Sequence, residues 1–311
     1  MINAVFIAGP TASGKTEYAI QLARALNGEI VSADSMQIYK YMDIGSAKPT
    51  KEERALAVHW LVDEIDPRTP FTAAEYKKLA EKYIDDIAAR GKLPIICGGT
   101  GLYFNALIYD MDFSAPEGDD AYRQGVWESC GKDPAVLHER LKALDPHAAE
   151  VIHPNNVKRT LRAIERLEHG EDKLAEFSGV TKLNPKYNSI LIGLDRDRDE
   201  LYDRINRRVV KLYDAGLPKE IRTLMDMGFK SSDVAMKGIG YKEIIDAVSE
   251  GGCPEDAAET IKQNTRRYAK RQLTWFRRYP HINWVRLSGD DFDENAFSNM
   301  LDIIENGRIK E

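Results

Sequence analysis

Short apolar runs alternate along the chain with segments whose apolar residues recur at helical spacing. The continuous runs, which have the length and character of buried strands, lie at residues 4–8, 29–34, 93–97 and 189–195. The helical patterns between them lie at residues 16–26 and 72–89, the second followed by a glycine stop signal at position 91. Strands that alternate with helices of this length predict a parallel sheet covered on both faces, with ligands at the carboxyl ends of its strands.

The pattern changes after the third strand. Strand-like runs give way to helical patterns at residues 135–144 and 156–169, and after the fourth strand the sequence stays mostly helical until an apolar run at 282–287 predicts a last strand. We therefore expect a core with an inserted all-helical subdomain. The predicted domains are a core of residues 1–112 and 187–311 and a helical insertion of residues 113–186.

Composition narrows the class of protein. Hydrophobic residues at 43% and charged residues at 30% are typical of an ordinary globular protein. No apolar run approaches the roughly 20 residues of a membrane span, and no secretory signal opens the chain. The three cysteines are far apart and lack metal-ligand spacing, which argues against disulfides and zinc. We expect a cytoplasmic protein that acts as a monomer and does not contact a membrane.

The distribution of charge matters more than its total. The net charge of −6 disfavours a nucleic-acid partner, but residues 262–278 contain seven basic residues and no acidic one. Within this predicted helix we expect one buried face of Ile261, Tyr268 and Trp275, and one cationic stripe of Lys262, Arg266 and Lys270. Like charges at this spacing cost a helix about 0.2–0.5 kcal/mol per pair, so an anionic partner would explain them. The alternative is a face that is solvated or paired with acids.

A phosphate-binding motif follows the first strand. The pattern GxxxxGK[ST] is matched by Gly9, Pro10, Thr11, Ala12, Ser13, Gly14, Lys15 and Thr16. It lies between a predicted strand and a predicted helix, the context in which backbone amides and the helix N-terminus bind phosphate oxygens. In this arrangement Lys15 reaches the phosphates and the Thr16 hydroxyl holds Mg²⁺. A glycine turn that merely contains Lys-Thr is the alternative. The motif predicts a P-loop NTPase-like α/β fold that binds a diphosphate or triphosphate.

Further segments stand in the order and spacing of one family. They are Asp-Ser-Met-Gln-Ile-Tyr at 34–39, Asp-Ile-Gly-Ser-Ala-Lys-Pro at 43–49, Gly-Gly-Thr-Gly-Leu-Tyr at 98–103, and the segments 153–162, 201–208, 238–242 and 266–277. The chain resembles the tRNA dimethylallyltransferases (IPP transferases) nearly from end to end. The resemblance is to the bacterial type, without a zinc-finger extension. Ser46 stands where the family usually has Thr, Asn156 where Asp is common, and Trp60 where a second His often follows the first.

The resemblance implies a reaction and a set of roles. The family transfers a dimethylallyl group from dimethylallyl diphosphate to N6 of adenine 37, beside the anticodon of tRNA. The products are N6-isopentenyladenosine and pyrophosphate, and Mg²⁺ is the cofactor. Asp34 is the expected general base, because a carboxylate can take the proton of a weakly nucleophilic amine. Thr100 and Arg208 are the other expected catalytic residues, and Arg204 joins the phosphate loop in binding the diphosphate. The alternatives are an N-cap role for Asp34, a simple turn at Thr100 and a solvated salt-bridge face for the two arginines.

The same resemblance implies an extended contact with the anticodon stem-loop of tRNA, because the target base must leave its stack to react. The matching positions are Asp34, Ser35, Met36, Gln37, Thr100, Arg123, Lys158, Arg159, Thr160, Leu161, Arg162, Lys237, Gly238, Ile239, Gly240, Tyr241, Lys242, Lys270, Arg271, Gln272, Leu273, Thr274, Trp275, Phe276 and Arg277. Lysines and arginines among them are expected to hold RNA phosphates.

Two other functions are compatible with parts of this sequence. A small-molecule or nucleotide kinase would share the phosphate loop, Mg²⁺ and an acid after the second strand. It would also need a phosphate-facing lid, for which Arg159, Arg162 and Arg166 are available. An RNA-binding protein without catalytic activity is disfavoured, because it would leave the complete phosphate loop without a purpose.

Overall fold

The computed structural model describes residues 1–109, 111, 119–169 and 182–307. The chain divides into two compact units, one formed by Met1–Ile108 with Pro185–Glu311 and the other by Tyr109–Asn184. The boundary expected between residues 112 and 113 lies outside the described residues.

The first unit is built on a parallel sheet. Its strands are β1 (Ile2–Ala8), β2 (Gly28–Ala33), β3 (His59–Trp60), β4 (Leu93–Gly98), β5 (Tyr187–Arg196) and β6 (Asn283–Leu287). They lie in the order β3-β2-β4-β1-β5-β6, and every pairing is parallel. The α/β fold and the five predicted strands are confirmed. The two-residue strand β3 was not predicted, because so short a segment has no hydrophobic period.

The helices alternate with these strands in the first unit and fill the second. They are α1 (Lys15–Ala25), α2 (Lys51–Leu56), α3 (Ala73–Ala89), α4 (Gly101–Ile108), α5 (Asp120–Ser129), α6 (Pro134–Leu144), α7 (Pro146–Val151), α8 (Val157–Glu168), α9 (Arg198–Asp214), α10 (Leu217–Asp226), α11 (Tyr241–Ser249), α12 (Ala258–Phe276) and α13 (Glu294–Gly307), with 3₁₀ turns at Ala235–Lys237 and Pro254–Ala257. The helices predicted at 16–26, 72–89, 135–144 and 156–169 are confirmed as α1, α3, α6 and α8. Within the described residues, no helix combines the length and apolarity that a membrane crossing requires.

Side chains of β1 alternate between two helical layers. Val5 and Ile7 pack in one cluster with residues of α1 and α13. Phe6, on the opposite face, contacts Phe104 of α4, which in turn meets Phe276 of α12 edge-on. Each of these side chains is fully buried, and burying one such residue stabilises the fold by about 1.5–3 kcal/mol. The sheet is therefore covered on both faces, as the alternating pattern predicts.

The second unit contains α5, α6, α7 and α8 among its described residues. Leu137, Leu141 and Ile164 are fully buried in its apolar cluster. Asn156, which departs from the usual Asp of the resembled family, caps α8 by accepting a hydrogen bond from the Arg159 amide. The amide oxygen therefore supplies the same acceptor that a carboxylate would.

Three loops leave the same edge of the sheet. The ends of β1, β4 and β2 are aligned, because Ala8 pairs with Gly98 and Gly98 pairs with Ala33. The phosphate loop (residues 9–16), the turn that begins at Asp34 and the 98–101 loop therefore start side by side. This edge is where parallel sheets place their ligands.

Candidate active site

The phosphate loop joins β1 to α1, and cationic side chains hold its backbone. Three carbonyl groups of the loop accept hydrogen bonds: Pro10 from Lys15 Nζ (2.7 Å), Ala12 from Arg204 Nε (3.0 Å) and Ser13 from Arg196 Nε (3.0 Å). The N-cap of α1 is Gly14, so no side chain caps the first turn of this helix. The amides of that turn are left for an anion, and the helix dipole favours one there.

Lys15, Asp34 and Arg208 are close enough to affect one another electrostatically. Desolvation lowers the pKa of Lys15 to about 8, the charges of Cys97 and Asp34 oppose that shift, and Arg208 adds to it. Desolvation also lowers the pKa of Arg208, against the opposing effect of Asp34. Two half-buried cations beside one carboxylate form a site with a surplus of positive charge, which favours a polyanionic ligand.

Asp34 and Thr100 lie next to each other across the ends of β2 and β4. Gly98 makes this possible, because a Cβ at that position would come within 2.1 Å of the Ala33 carbonyl oxygen. The Thr100 hydroxyl accepts a hydrogen bond from the Ser35 amide at 3.0 Å. A hydroxyl can accept two hydrogen bonds and donate one, so Thr100 can bond Ser35 and Tyr268 and still donate to a substrate.

The turn-capping alternative for Asp34 is correct for one of its two oxygens. Asp34 Oδ1 accepts hydrogen bonds from the amides of Met36 (2.8 Å) and Gln37 (3.3 Å). These bonds fix the carboxylate, and Oδ2 is left to accept a proton. The capping role and the role of general base are therefore compatible.

The two arginines expected to bind the diphosphate differ in their surroundings. Arg204 donates from Nε to Ala12 and from Nη1 to Asp290 Oδ1 at 2.5 Å and to the Gly289 carbonyl at 3.3 Å. Arg208, one turn later on α9, makes no hydrogen bond or ion pair with the described part of the chain. The geometry makes Arg204 an anchor of the loop and leaves Arg208 as the cation available to an anion.

Arg196 is a part of the site that sequence reasoning missed. It is buried, and besides Ser13 its guanidinium contacts Glu200 and the Gly289 carbonyl (2.7 Å). It comes directly after the apolar run at 189–195, at the same sheet edge as the phosphate loop. An arginine at the end of a buried strand is the signal that could have revealed it.

Helix α12 faces these loops with Tyr268, Gln272 and Trp275. Burial, followed by the charge of Asp34, raises the pKa of Tyr268, which also hydrogen-bonds Thr100. The Trp275 ring packs on Gly101. Gln272 is buried between the loops. The expected shared face of Ile261, Tyr268 and Trp275 is thus only partly buried: Ile261 belongs to the core, and the two aromatic rings stay half-exposed at the site.

A second loop near the site is held by one carboxylate. Glu220 accepts hydrogen bonds from the amides of Asp43 (2.8 Å), Ile44 (2.6 Å) and Gly45 (3.0 Å), and from the Tyr241 hydroxyl (2.7 Å). This carboxylate satisfies three consecutive amides of the segment 43–49 that carries the family resemblance. The sequence gives little indication of these contacts, because Glu220, the acceptor, lies far away in the chain on α10.

Five of the expected tRNA contacts are buried in the structure. They are Thr160, Gly240, Tyr241, Gln272 and Phe276. Three of them make contacts within the fold: Tyr241 binds Glu220, Phe276 packs on Phe104, and Thr160 donates to the Asn156 carbonyl.

The remaining expected tRNA contacts have side chains or backbone at least partly open to solvent. They are Asp34, Ser35, Met36, Gln37, Thr100, Arg123, Lys158, Arg159, Leu161, Arg162, Lys237, Gly238, Ile239, Lys242, Lys270, Arg271, Leu273, Thr274, Trp275 and Arg277. Arg123 is the most restricted cation of this set, because it forms ion pairs with Asp120 and with Glu165 (3.4 Å) inside the second unit.

The cationic stripe on α12 is less exposed than its sequence suggests. Lys262 pairs with Glu259 at 2.7 Å, and Arg266 donates to Asn206 Oδ1 at 2.6 Å. Lys270 is exposed and has no ion pair with any described residue. Of the three cations, Lys262 is paired with an acid, Arg266 bonds an uncharged amide, and Lys270 is solvated.

A tightly coordinated metal does not fit this site. The described residues contain no group of three or more His, Cys, Asp or Glu side chains with metal-binding geometry. Thr16, in the first turn of α1, has a half-buried side chain without a hydrogen-bond partner in the described residues. A hydroxyl at this position suits Mg²⁺ held mainly by phosphate oxygens and water.

Comparison with known proteins identifies the group to which this arrangement belongs. The sequence pattern of the IPP transferases matches residues 37–279. The chain is 48% identical over 302 residues to the tRNA dimethylallyltransferase of Acetivibrio thermocellus, which covers 96% of both proteins. It is also 48% identical over 298 residues to the tRNA dimethylallyltransferase of Alkaliphilus oremlandii, covering 96% of this chain and 95% of that protein.

Solved structures agree with the sequence comparisons. The crystal structure of the full-length tRNA isopentenylpyrophosphate transferase from Bacillus halodurans superposes with a TM-score of 0.73 at 40% identity, covering 99% of this chain and 98% of that one. A eukaryotic dimethylallyltransferase captured acting on tRNA gives a TM-score of 0.83 at 28% identity. The match covers 100% of this chain and 81% of that one. The similarity therefore extends over the whole chain.

Proposed function

The chain belongs to the IPP transferase family, and on that premise we propose that it transfers the dimethylallyl group of dimethylallyl diphosphate to N6 of adenine 37 in tRNA. One observation carries the proposal: a phosphate loop and the Asp34–Thr100 pair leave the same edge of one sheet. A donor diphosphate and an acceptor amine bound there would meet between them.

The phosphate side of the site stabilises the leaving group. As N6 attacks C1 of the donor, the C1–O bond breaks and its electron pair leaves with pyrophosphate. The amides at the start of α1, the Lys15 ammonium and the Arg208 guanidinium are placed to bind that growing negative charge. Fixed donors of this kind act most strongly in the transition state, because they need no reorganisation.

The acceptor side removes the proton. An exocyclic aryl amine is a weak nucleophile until it loses a proton, and Asp34 Oδ2 accepts that proton as the new C–N bond forms. Thr100 donates its hydroxyl hydrogen to the bridging oxygen or orients the amine. Asp34 Oδ1 stays bound to the Met36 and Gln37 amides, so the base does not have to be ordered at each turnover.

Magnesium would act on the phosphate side. Thr16 is the residue that would hold it, together with the diphosphate oxygens. When bound, Mg²⁺ offsets the negative charge of the diphosphate and so improves pyrophosphate as a leaving group.

Recognition of tRNA requires cations that can reach RNA phosphates. In the first unit Lys237, Lys242, Lys270 and Arg277 are exposed, and in the second unit Lys158 and Arg162 are exposed one turn apart on α8. Such contacts hold the anticodon stem-loop in place. The base sequence of the RNA is recognised by other groups. The target adenine must leave its stack to meet Asp34. We place the enzyme in the cytoplasm with its tRNA, as a monomer.

The kinase alternative is not favoured. The relatives at 48% identity are named tRNA dimethylallyltransferases over almost their full length. Within the second unit, Arg159 and Arg162 lie on α8 beside exposed Lys158, which suits a surface that holds RNA phosphates. A non-catalytic RNA-binding function would leave the ordered Asp34–Thr100 pair without a role.

The decisive experiment supplies the protein with tRNA unmodified at adenine 37, Mg²⁺ and dimethylallyl diphosphate. Mass spectrometry of the digested tRNA should show one isopentenyl group added at that adenine. ATP turnover on a small alcohol or nucleotide, with no modified tRNA, would instead establish the kinase.

A further inference from the structure

The side chain of Gln272 connects two of the three loops that form the site. Its Oε1 accepts a hydrogen bond from the Thr11 amide at 2.9 Å, and its Nε2 donates to the Gly99 carbonyl at 2.9 Å. Gly99 permits this approach, because a Cβ there would come within 2.2 Å of Nε2. One partner is an obligatory donor and the other an obligatory acceptor, so the orientation of the amide group is unambiguous.

This bridge completes the set of bonds that hold the phosphate loop. The loop carbonyls of Pro10, Ala12 and Ser13 are bound by cations, and Thr11 is the residue held through its amide. The other anchors connect the loop to α1, α9 and the end of β5. Gln272 alone among these four anchors connects it to the 98–101 loop, which presents Thr100 to the acceptor.

Gln272 is also part of a helix with two different faces. Tyr268, four residues earlier, and Trp275, three residues later, share its inward face and lie at Thr100 and Gly101. Lys270 and Arg271 are exposed on the outward face of the same turn. A helix so placed joins a surface suited to RNA phosphates to the loops that hold the donor.

We propose that Gln272 is a positioning residue that sets the phosphate loop and the 98–101 loop at the distance the reaction requires, and that it does not contact tRNA. The inference rests on the proposed function, since it assigns the two loops to donor and acceptor. Losing the bridge should weaken diphosphate binding and slow transfer, because the loop amides and Thr100 no longer keep a fixed geometry.

The test uses Gln272→Met, which keeps the length of the side chain but has no strong hydrogen-bonding group. Inorganic pyrophosphate binding with Mg²⁺ is measured by calorimetry without RNA, and tRNA binding by filter retention. We expect pyrophosphate affinity to fall by about tenfold, the effect of losing roughly one to two buried hydrogen bonds. The KM for dimethylallyl diphosphate should rise and kcat should fall, while tRNA affinity and the KM for tRNA stay unchanged. Gln263→Leu, an exposed glutamine on the same helix, is the control and should change none of these.

Gly99→Ala tests the same bridge from its other end and leaves α12 intact. Its backbone does not require a glycine conformation, so the added Cβ acts by displacing Nε2. Gly99→Ala should reproduce the loss of pyrophosphate affinity. If Gln272→Met lowers Tm strongly, the result for Gly99→Ala decides whether the bridge positions the loops. Weakened tRNA binding with unchanged pyrophosphate binding, or unchanged binding of both, would overturn the assignment. A wild-type protein that binds pyrophosphate but does not modify tRNA would contradict the proposed function and not the bridge.

Discussion

The phosphate loop and the outward face of α12 are two charged regions built in opposite ways. The loop is held by side chains from distant parts of the chain, with Gln272, Arg204 and Arg196 lying 261, 192 and 183 residues away. The outward face of α12 has local bonds, such as Lys262 to Glu259 and Thr274 to the Lys270 carbonyl. The donor site is therefore fixed by folding of the whole unit. The proposed RNA surface consists of exposed side chains that adapt to a large ligand.

This difference predicts that substitutions at the buried edge are far more damaging than substitutions on the exposed helix face. A residue that acts on the reacting atoms is expected to matter most, followed by a cation facing the diphosphate. The loop lysine, whose charge depends on pH, should come next. Substituting a single cation that holds an RNA phosphate should have the smallest effect, because many such contacts contribute to tRNA affinity.

The largest effect is expected for Asp34→Asn. The amide keeps an oxygen for the Met36 and Gln37 amides, so the turn is preserved while the base is lost. We expect kcat to fall by about 10²–10⁴-fold, the usual contribution of a general base. Affinity for tRNA and for dimethylallyl diphosphate should not change. Single-turnover kinetics with separate binding assays would measure this, and a kcat close to that of the wild type would remove Asp34 from the mechanism.

The next effect separates the two arginines of α9. Arg208→Ala should lower kcat by about 10²–10³-fold, because it removes a fixed donor for the leaving group. Arg204→Ala should cause a smaller loss, seen mainly as a higher KM for dimethylallyl diphosphate, because it loosens the loop at Ala12. Steady-state kinetics of both variants test this. A larger kcat defect in Arg204→Ala would reverse the roles assigned here.

The roles of these arginines show how far the sequence alone leads. The phosphate loop is a local pattern, so the strand before it and the helix after it were predicted correctly. The spacing of Arg204 and Arg208 placed both on one helical face, but it contained no information about Asp290, which pairs with Arg204 at 2.5 Å. Arg196 and the bridge of Gln272 were missed for the same reason. Their partners are backbone groups far away in sequence, and no side-chain pattern marks a carbonyl that needs a donor.

The departures from the family show the same limit. Trp60 donates from its indole nitrogen to Glu29, a buried carboxylate that Arg90 and Lys92 also bind. Arg90 is the principal reason that the pKa of Glu29 falls to about 2. Ser46 donates to the Met42 carbonyl at 2.5 Å. Both side chains are therefore bound by partners that the sequence does not specify.

A moderate effect is expected from pH through Lys15. Desolvation holds the pKa of this lysine at about 8, so its charge is present below that value and is lost above it. Diphosphate affinity should be constant below about pH 8 and should fall by up to about tenfold per pH unit above it, since one proton is coupled to binding. In Lys15→Arg the cation stays charged, so the decline should disappear. Comparing the two proteins across pH 7–9.5 cancels the titration of the ligand, and parallel profiles would show that Lys15 does not titrate in this range.

The smallest effect compares two lysines on the exposed side of α12. Lys270 has no ion pair among the described residues, so neutralising an RNA phosphate costs it no internal contact, whereas Lys262 must first leave Glu259. Lys270→Ala should therefore weaken tRNA binding several-fold and reduce the slope of log affinity against log salt by about 1. Lys262→Ala should change both quantities less, because Glu259 already offsets the charge of this half-buried lysine within the protein. Filter binding over a range of salt concentrations distinguishes the two. Equal losses would contradict this prediction. They would mean that the RNA reaches the whole length of the helix and breaks the Lys262–Glu259 pair. The outward face would then be a preformed binding surface like the phosphate loop.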